Sequence, residues 1–562
     1  MSTSTTSITS SPAAAAAGDQ VSKDKLFKIR TITAFVTLHE SDFNLNLNTT
    51  DNNDNDNDND NVNHATTMLE YKIKETVRAL QTVRVQLEDK NTNNLEVQTL
   101  RIATNPFPEY LLPSSNKQGD GTGTDTDTDT DTDTDNTEEI VEKRLKVLDE
   151  CLERNGIIFF SLGSASTKEH LITCTQIVQY SMKFSCSVQL QANDVGLANA
   201  SAETILRNSK LIVRGTDNTT GIIDGLANFR FCVANVKPYI PFFPAAKSES
   251  SSRSSSSSSS SGIGDEDDDD KKPFQIKFAI GLENGELLKD LLMNDANQSI
   301  ANILPPPIPT TATTTTATID SSSDGEEATK KIKRSNNFAT GFSMAVRPIQ
   351  TTCEKVVSDW KSNNNNNGNN NGNNGNDGDT DLKYIGLDAS FNPSLDKDGS
   401  VASAIELLNE VSNEFGGPGT IAAVAAMTTA IQTKLTSDEN ENENENGDDT
   451  TSSQIKLTGY NGLMLPLCED IRLAQLAIND KLTISQLLNV SSVCGVGIDT
   501  VPIAGDTCPK ELASLLLDVV GLAQRWNKPL SCRVFPVPNK VAGDMTAFDS
   551  PYLVNSKILK LS

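Results

Sequence analysis

The 562-residue sequence predicts an α/β fold whose strands pair largely in parallel. Two observations predict it. Short apolar runs alternate with amphipathic helical stretches, an order that calls for βα crossovers and parallel neighbours. Gly, Pro and Asp stand at the ends of those runs, where Gly reaches positive φ and Pro fixes φ near −65°, as strand-to-loop corners require. A barrel and a wide doubly wound sheet both satisfy this pattern.

In chain order, 29–38 reads as a strand and 68–87 has helical periodicity, followed by a strand over 97–102 that ends at Asn105-Pro106. Val141, Leu145, Leu148 and Leu152 share one helix face, Gly156 ends that helix, and Ile157-Ile158-Phe159-Phe160 reads as a buried strand. Strands follow at 184–190, 229–235, 276–282, 384–388, 462–467, 498–503 and 530–534. Helices are predicted at 202–213, 344–360, 400–412, 418–434, 484–492 and 509–525.

Six low-complexity tracts interrupt this series, at 51–60, 113–137, 248–270, 303–327, 361–381 and 437–452. Their Asp-Asn, Thr-Asp, Ser, Thr-Pro, Asn-Gly and Glu-Asn repeats bury too little apolar area to offset backbone ordering at about 1–2 kcal/mol per residue, so they are expected to be disordered surface loops. One folded domain over 27–558 remains, behind a disordered leader at 1–26. The formal charge of −27 belongs to the tracts: 33 of the 75 acidic residues lie there against three basic ones, and the rest of the chain is close to neutral. A basic stripe with interleaved aromatics is missing, which argues against a nucleic-acid partner.

The nine cysteines show no CxxC pair or regular spacing, favouring free thiols in a reducing compartment over disulfides or a zinc site. No apolar run reaches the roughly 18 residues of a membrane span. A cytoplasmic location is expected, and the acid-poor leader with Lys23, Lys25, Lys28 and Arg30 behind it leaves an organellar leader open.

Only three histidines occur, far apart in sequence, so chemistry must rest on carboxylates, Arg and Cys. Asp388, Glu469, Asp499 and Asp506 stand at predicted strand ends, where parallel α/β folds gather reacting groups. Paired there, they would serve as acid and base or hold a divalent cation; singly, each is as readily a helix cap or turn brace. Arg230 and Arg533 are embedded in apolar strands, where an arginine pairs with an aspartate or clamps a ligand carboxylate. Gly416, Gly417, Gly419 and Thr420 open a helix and offer N–H groups to an anion, or else pack tightly against a neighbour. Neither this turn nor Gly495-Val496-Gly497 completes a P-loop or a dinucleotide fingerprint. Cys494, beside two glycines, is a candidate non-radical thiol.

The blocks Ala103-Thr104-Asn105-Pro106-Phe107-Pro108, Asn228-Phe229-Arg230-Phe231, Pro241-Phe242-Phe243-Pro244-Ala245-Ala246, Phe278-Ala279-Ile280-Gly281-Leu282-Glu283, Gly459-Tyr460-Asn461-Gly462 and Cys494-Gly495-Val496-Gly497-Ile498-Asp499 come in an order that resembles the domain of unknown function 711 family, also called uncharacterised protein family 0210. The resemblance covers nearly the whole folded body. It implies a large pyruvate formate-lyase-like α/β barrel, but no substrate. Glycyl-radical enzymes of that kind carry a Gly in a C-terminal Arg-Val-x-Gly-Tyr context, whereas Arg533-Val534 continues here as Phe535-Pro536, so no glycyl radical is expected. Two function classes follow: a non-radical enzyme acting on a small anionic metabolite at the barrel mouth, or a non-catalytic protein that binds a metabolite or partner. Homo-oligomer formation is left open. Convergence of the carboxylates and Arg533 on one pocket would favour the first class.

Overall fold

The computed structural model describes residues 26–43, 59–114, 132–212, 225–251, 273–293, 298–303, 338–367, 380–435 and 454–561. The leader up to residue 25 and most of the six tracts lie outside the described residues. Elements nonetheless run into the flanks of the tracts, with a helix starting at Asn59, another at Thr132, a third continuing to Asn367, and a strand starting at Thr380.

Among the described residues, nine strands form one sheet: β1 (Lys28–Val36), β2 (Leu100–Thr104), β3 (Phe160–Ala165), β4 (Phe184–Gln189), β5 (Phe231–Asn235), β6 (Phe274–Glu283), β7 (Thr380–Asp388), β8 (Gly497–Ala504) and β9 (Leu530–Val537). Their spatial order is β7-β6-β1-β2-β3-β4-β5-β9-β8. β1 to β5 are mutually parallel, as are β6 with β7 and β8 with β9, while the β1/β6 and β5/β9 joints are antiparallel. The sheet therefore has a central block of five parallel strands, flanked at each edge by a parallel pair running the opposite way. β3 and β9 are buried at every position, the signature of strands covered on both faces.

The predicted strand at 462–467 forms isolated parallel bridges instead, Phe391↔Leu463 just past the end of β7 and Pro466↔Asp499 toward β8, and Leu457 ahead of it bridges Leu387 of β7. This stretch thus touches both edge strands. Pro466 has no N–H to give a ladder, and Gly462 lies so close to the 494–495 backbone that a Cβ would fall 2.6 Å from the Gly495 nitrogen.

Among the described residues, twelve helices accompany the sheet: α1 (Asn59–Glu88), α2 (Thr132–Arg154), α3 (Leu171–Tyr180), α4 (Val195–Asn208), α5 (Gly285–Met293), α6 (Ile300–Ile303), α7 (Phe338–Asn367), α8 (Val401–Ile405), α9 (Thr420–Lys434), α10 (Ile471–Ile478), α11 (Ile484–Ser491) and α12 (Pro509–Arg525). α3, α5 and α10 are too short to stand out by periodicity alone. The helix predicted at 400–412 stops at Ile405. There Glu406 receives the Phe415 N–H at 2.8 Å and the Arg472 Nε at 3.0 Å, which turns the chain aside. The apolar run at 157–160 enters β3 only at Phe160, and Ile158 stays exposed.

Between β5 and β6 the chain at 236–248 lies against the sheet. Thr33 Oγ1 donates to Pro241 O at 2.8 Å, Ser161 Oγ to Ala246 O at 2.7 Å and the Ser248 N–H to Thr104 O at 2.8 Å. Tyr239 meets Phe35 edge-on at 5.3 Å, and Phe242 packs over Gly281, where a Cβ would stand 2.7 Å from its ring.

Candidate functional site

A cavity of about 600 Å³ opens where β1–β5 begin and β6 and β7 end. Because β6 and β7 run against the central strands, one mouth gathers residues from strand starts (Arg30, Arg101, Ser185) and from strand ends (Glu283, Asn392). The expectation of strand carboxyl ends thus describes only half of the lining. Phe242 and Phe243 of the 236–248 segment form one wall, and Asp549 to Leu553 cross the rim.

Two register shifts aim charges inward. β1 slips against β6 between Ile29 and Thr31, where Arg30 stands, and β8 slips against β9 between Ile498 and Val501, around Asp499. Thr500 takes φ +47° there. Bulges of this kind re-aim side chains at the cost of ladder bonds.

Arg533, on β9, is the hub. Its Nε donates to Asp499 Oδ1 at 2.6 Å, and its Nη2 to Asp499 Oδ2 and to Glu469 Oε1, each at 2.9 Å. The guanidinium lies 4.9 Å from the Phe229 ring centroid. Arg30 pairs with Glu283 and reaches Glu469 Oε2 at 3.5 Å, while Gln98 Nε2 donates to the other Glu283 oxygen at 2.9 Å. Burial weakens the Arg533 hold on its proton, but Asp499 and Glu469 outweigh it and keep the group above its ordinary value. Burial raises the Glu469 carboxyl, with Asp499 adding to this and Arg533, Arg30 and Arg101 opposing it.

Arg101 differs from the other two arginines. Its Nε donates to Thr99 Oγ1 at 3.0 Å, and its guanidinium is 5.0 Å from the Phe159 ring and 5.3 Å from the Phe243 ring. It has no ion pair among the described residues. Burial, then repulsion from Arg30, pulls its proton affinity down to about 9, which still leaves a cation at neutral pH.

The raised Glu469 has a measurable consequence. Above the ordinary carboxylate value near 4.3, the unfolded chain has released a proton that folded Glu469 still holds, so its contribution to stability falls as pH rises through that window. Glu469→Gln removes this component. The melting temperature of the variant relative to wild type is expected to climb as pH rises above about 4; a difference that stays flat would refute the raised carboxyl.

The sequence-derived candidates separate cleanly. Glu469, Asp499 and Arg533 converge in the cavity. Arg230 touches its edge but spends its Nη groups on the carbonyls of Val178, Ser181 and Phe184, bracing the end of α3 and the start of β4. Asp388 is fully buried, accepting N–H groups from Ser390, Tyr460 and Asn461. Asp506 is exposed beyond the far end of β8, roughly 20 Å along the strand from Asp499. Cys494 is buried away from the cavity, its carbonyl taken by Lys528 Nζ at 2.6 Å.

In the glycine turn, the Gly416 N–H donates to Thr420 Oγ1 and the Gly417 N–H to Glu414 O, while a Cβ on Gly419 would stand 1.9 Å from Glu410 O. These glycines and Thr420 pack against their own neighbours. Among the described residues, no group of three or more His, Cys, Asp or Glu side chains is placed to hold a metal ion. Nor is any helix among them long and apolar enough to cross a membrane. Sequence reasoning missed Arg30, Arg101 and Glu283. The signal used for Arg533, an arginine inside an apolar strand, was present in Ile29-Arg30-Thr31 and Leu100-Arg101-Ile102.

A family profile described as Uncharacterised ACR (DUF711) matches residues 20–550. Among curated proteins the chain is 32% identical over 134 residues to the UPF0210 protein of Oleidesulfovibrio alaskensis, covering 24% of this chain and 26% of that protein. It is 32% identical over 158 residues to the UPF0210 protein of Pyrobaculum arsenaticum, covering 28% and 32%. With that of Lacticaseibacillus paracasei it shares 27% over 168 residues, covering 30% and 34%. The matched segments thus span about a quarter to a third of these relatives.

Proposed function

The chain belongs to the uncharacterised DUF711 family, and on that premise we propose that it is a non-radical, enzyme-like protein that binds a small anionic metabolite in the cavity and exchanges a proton with it. The observation that carries this reading is Arg101, a cation facing the cavity and without an ion pair among the described residues. An arginine fork left without an ion pair between aromatic rings is stabilised by a ligand anion that completes it. Glu469, raised by burial, is the proton carrier, and Asp499, clasped by Arg533, holds that arginine in place. In the same reading the 455–467 stretch, touching β7 and β8, closes the sheet into a pyruvate formate-lyase-like barrel. A cytoplasmic location accords with the nine free thiols.

A thermal-shift screen of anionic metabolites tests the reading. A ligand at about 100 times its Kd adds about 2.7 kcal/mol to stability. Arg101→Gln is expected to abolish that shift while leaving the unliganded melting temperature within a few degrees. A ligand shift that survives Arg101→Gln unchanged would sink the proposal.

A further inference from the structure

We infer that the ligand of this cavity is a monocarboxylate on an apolar, ring-sized body and not a phosphorylated metabolite, an inference that rests on the anion-binding reading above. The charges facing the cavity are almost all committed. Arg533 is clasped by Asp499 and Glu469, and Arg30 is paired with Glu283 and close to Glu469. Arg230 is spent on backbone carbonyls, and Lys183 is turned to Asp149 at 3.2 Å and Glu153 at 3.4 Å. Among the described residues, the one lining cation left with neither an ion pair nor carbonyl partners is Arg101, so the cavity offers a single guanidinium to a single negative charge.

A phosphate carries nearly two negative charges at neutral pH and needs two or more free cations to offset its desolvation. Asp396 and Asp549, also on the lining, repel the second negative charge of a phosphate on top of the first, so they weigh more against it than against a carboxylate. Arg101 has its Nε on Thr99, which leaves two Nη groups, the edge that grips a planar carboxylate through parallel bonds.

The rest of the ligand is specified by the walls. The Arg101 guanidinium sits at the rings of Phe159 and Phe243, and Phe229, Phe242 and Met464 complete an apolar surface that also carries the exposed ring of Tyr552, stacked on Phe229 at 6.3 Å. Such walls gain from burying a ring or a short alkyl chain and gain nothing from a polyol, whose hydroxyls would lose water without finding partners. The volume of about 600 Å³ suits a molecule of that size.

Calorimetric titration of the full-length protein with phenylacetate, acetate, phenylacetamide, phenyl phosphate and inorganic phosphate tests the inference, each measured on wild type, Arg101→Lys and Arg101→Gln. The expected order puts phenylacetate first, with affinity lost at least tenfold in Arg101→Gln, partly kept in Arg101→Lys, and absent for phenylacetamide. Phenyl phosphate binding more tightly than phenylacetate, still through Arg101, would overturn the charge assignment and leave the anion reading standing. Acetate binding as well as phenylacetate would overturn the apolar body alone. Failure of every anion to bind through Arg101, with the variants folded by circular dichroism, overturns both this inference and the reading beneath it.

Discussion

Replacing Arg533 by Met is expected to lower the unfolding free energy by about 3–5 kcal/mol, because it strands Asp499 as an uncompensated charge in a buried site and leaves Glu469 only Arg30, at 3.5 Å. Solvent screens these charges little, since the Arg533 side chain is only 8% exposed and its two partners 12% and 15%. Met fills similar volume, so the loss reports charge and not a cavity. Glu469→Gln and Asp499→Asn, added to Arg533→Met, should recover most of the stability, because neutral amides need no counter-ion. Urea unfolding midpoints of the single and triple variants make the comparison. A single variant that loses under about 1 kcal/mol would mean the pair breaks even, as exposed pairs do, and the hub would not organise the site.

Much of the fold was legible because burial leaves a periodic trace. β4, β6, β8, β9, α9, α11 and α12 fall within a few residues of the stretches read from apolar patterning, and parallel pairing follows from the helices between strands. The two antiparallel joints left no trace, since the direction of a strand is set by how the chain returns to the sheet and not by its own composition. The stretch at 462–467 misled for a related reason: apolar residues that bridge two sheet edges look like a strand whether or not their N–H groups form a ladder.

Site legibility follows the same line. Glu469, Asp499 and Arg533 stood out as charges among apolar residues, and the fold brings them together. Asp388 and Asp506 carried the same signal, yet one is buried and the other exposed. Sequence spacing cannot separate these cases, because a carboxylate at a strand end can satisfy backbone donors or face a ligand, and only long-range register decides which. Arg101 is the clearest instance. What distinguishes it is the company of Phe159 and Phe243, residues 58 and 142 positions away.

Asp388→Ala is expected to cost about 3 kcal/mol or more while leaving any ligand-induced stabilisation intact. Asp388 ends β7, and its two oxygens receive the N–H groups of Ser390 at 3.0 Å, Tyr460 at 2.8 Å and Asn461 at 3.2 Å, together with the Ser390 hydroxyl at 2.5 Å. Removing the carboxylate leaves these buried donors without an acceptor, at about 1–3 kcal/mol for each one that water cannot reach. The approach is so close that only glycine fits beside it. Gly459 has φ +85°, and a Cβ there would lie 2.1 Å from Asp388 Oδ2. Gly459→Ala should therefore reproduce the loss by pushing the carboxylate off its donors. Because Tyr460 and Asn461 belong to the stretch that also bridges β8, both variants loosen the link between the two sheet edges. Hydrogen exchange should then rise first at 457–466 and not in β2–β4. The pattern is the reverse of that for Arg101→Gln, which spares the fold and removes the ligand effect. If Asp388→Ala instead kept its melting temperature and lost the ligand shift, the carboxylate would be a binding group, and the division drawn between structural Asp388 and the cavity charges would fall.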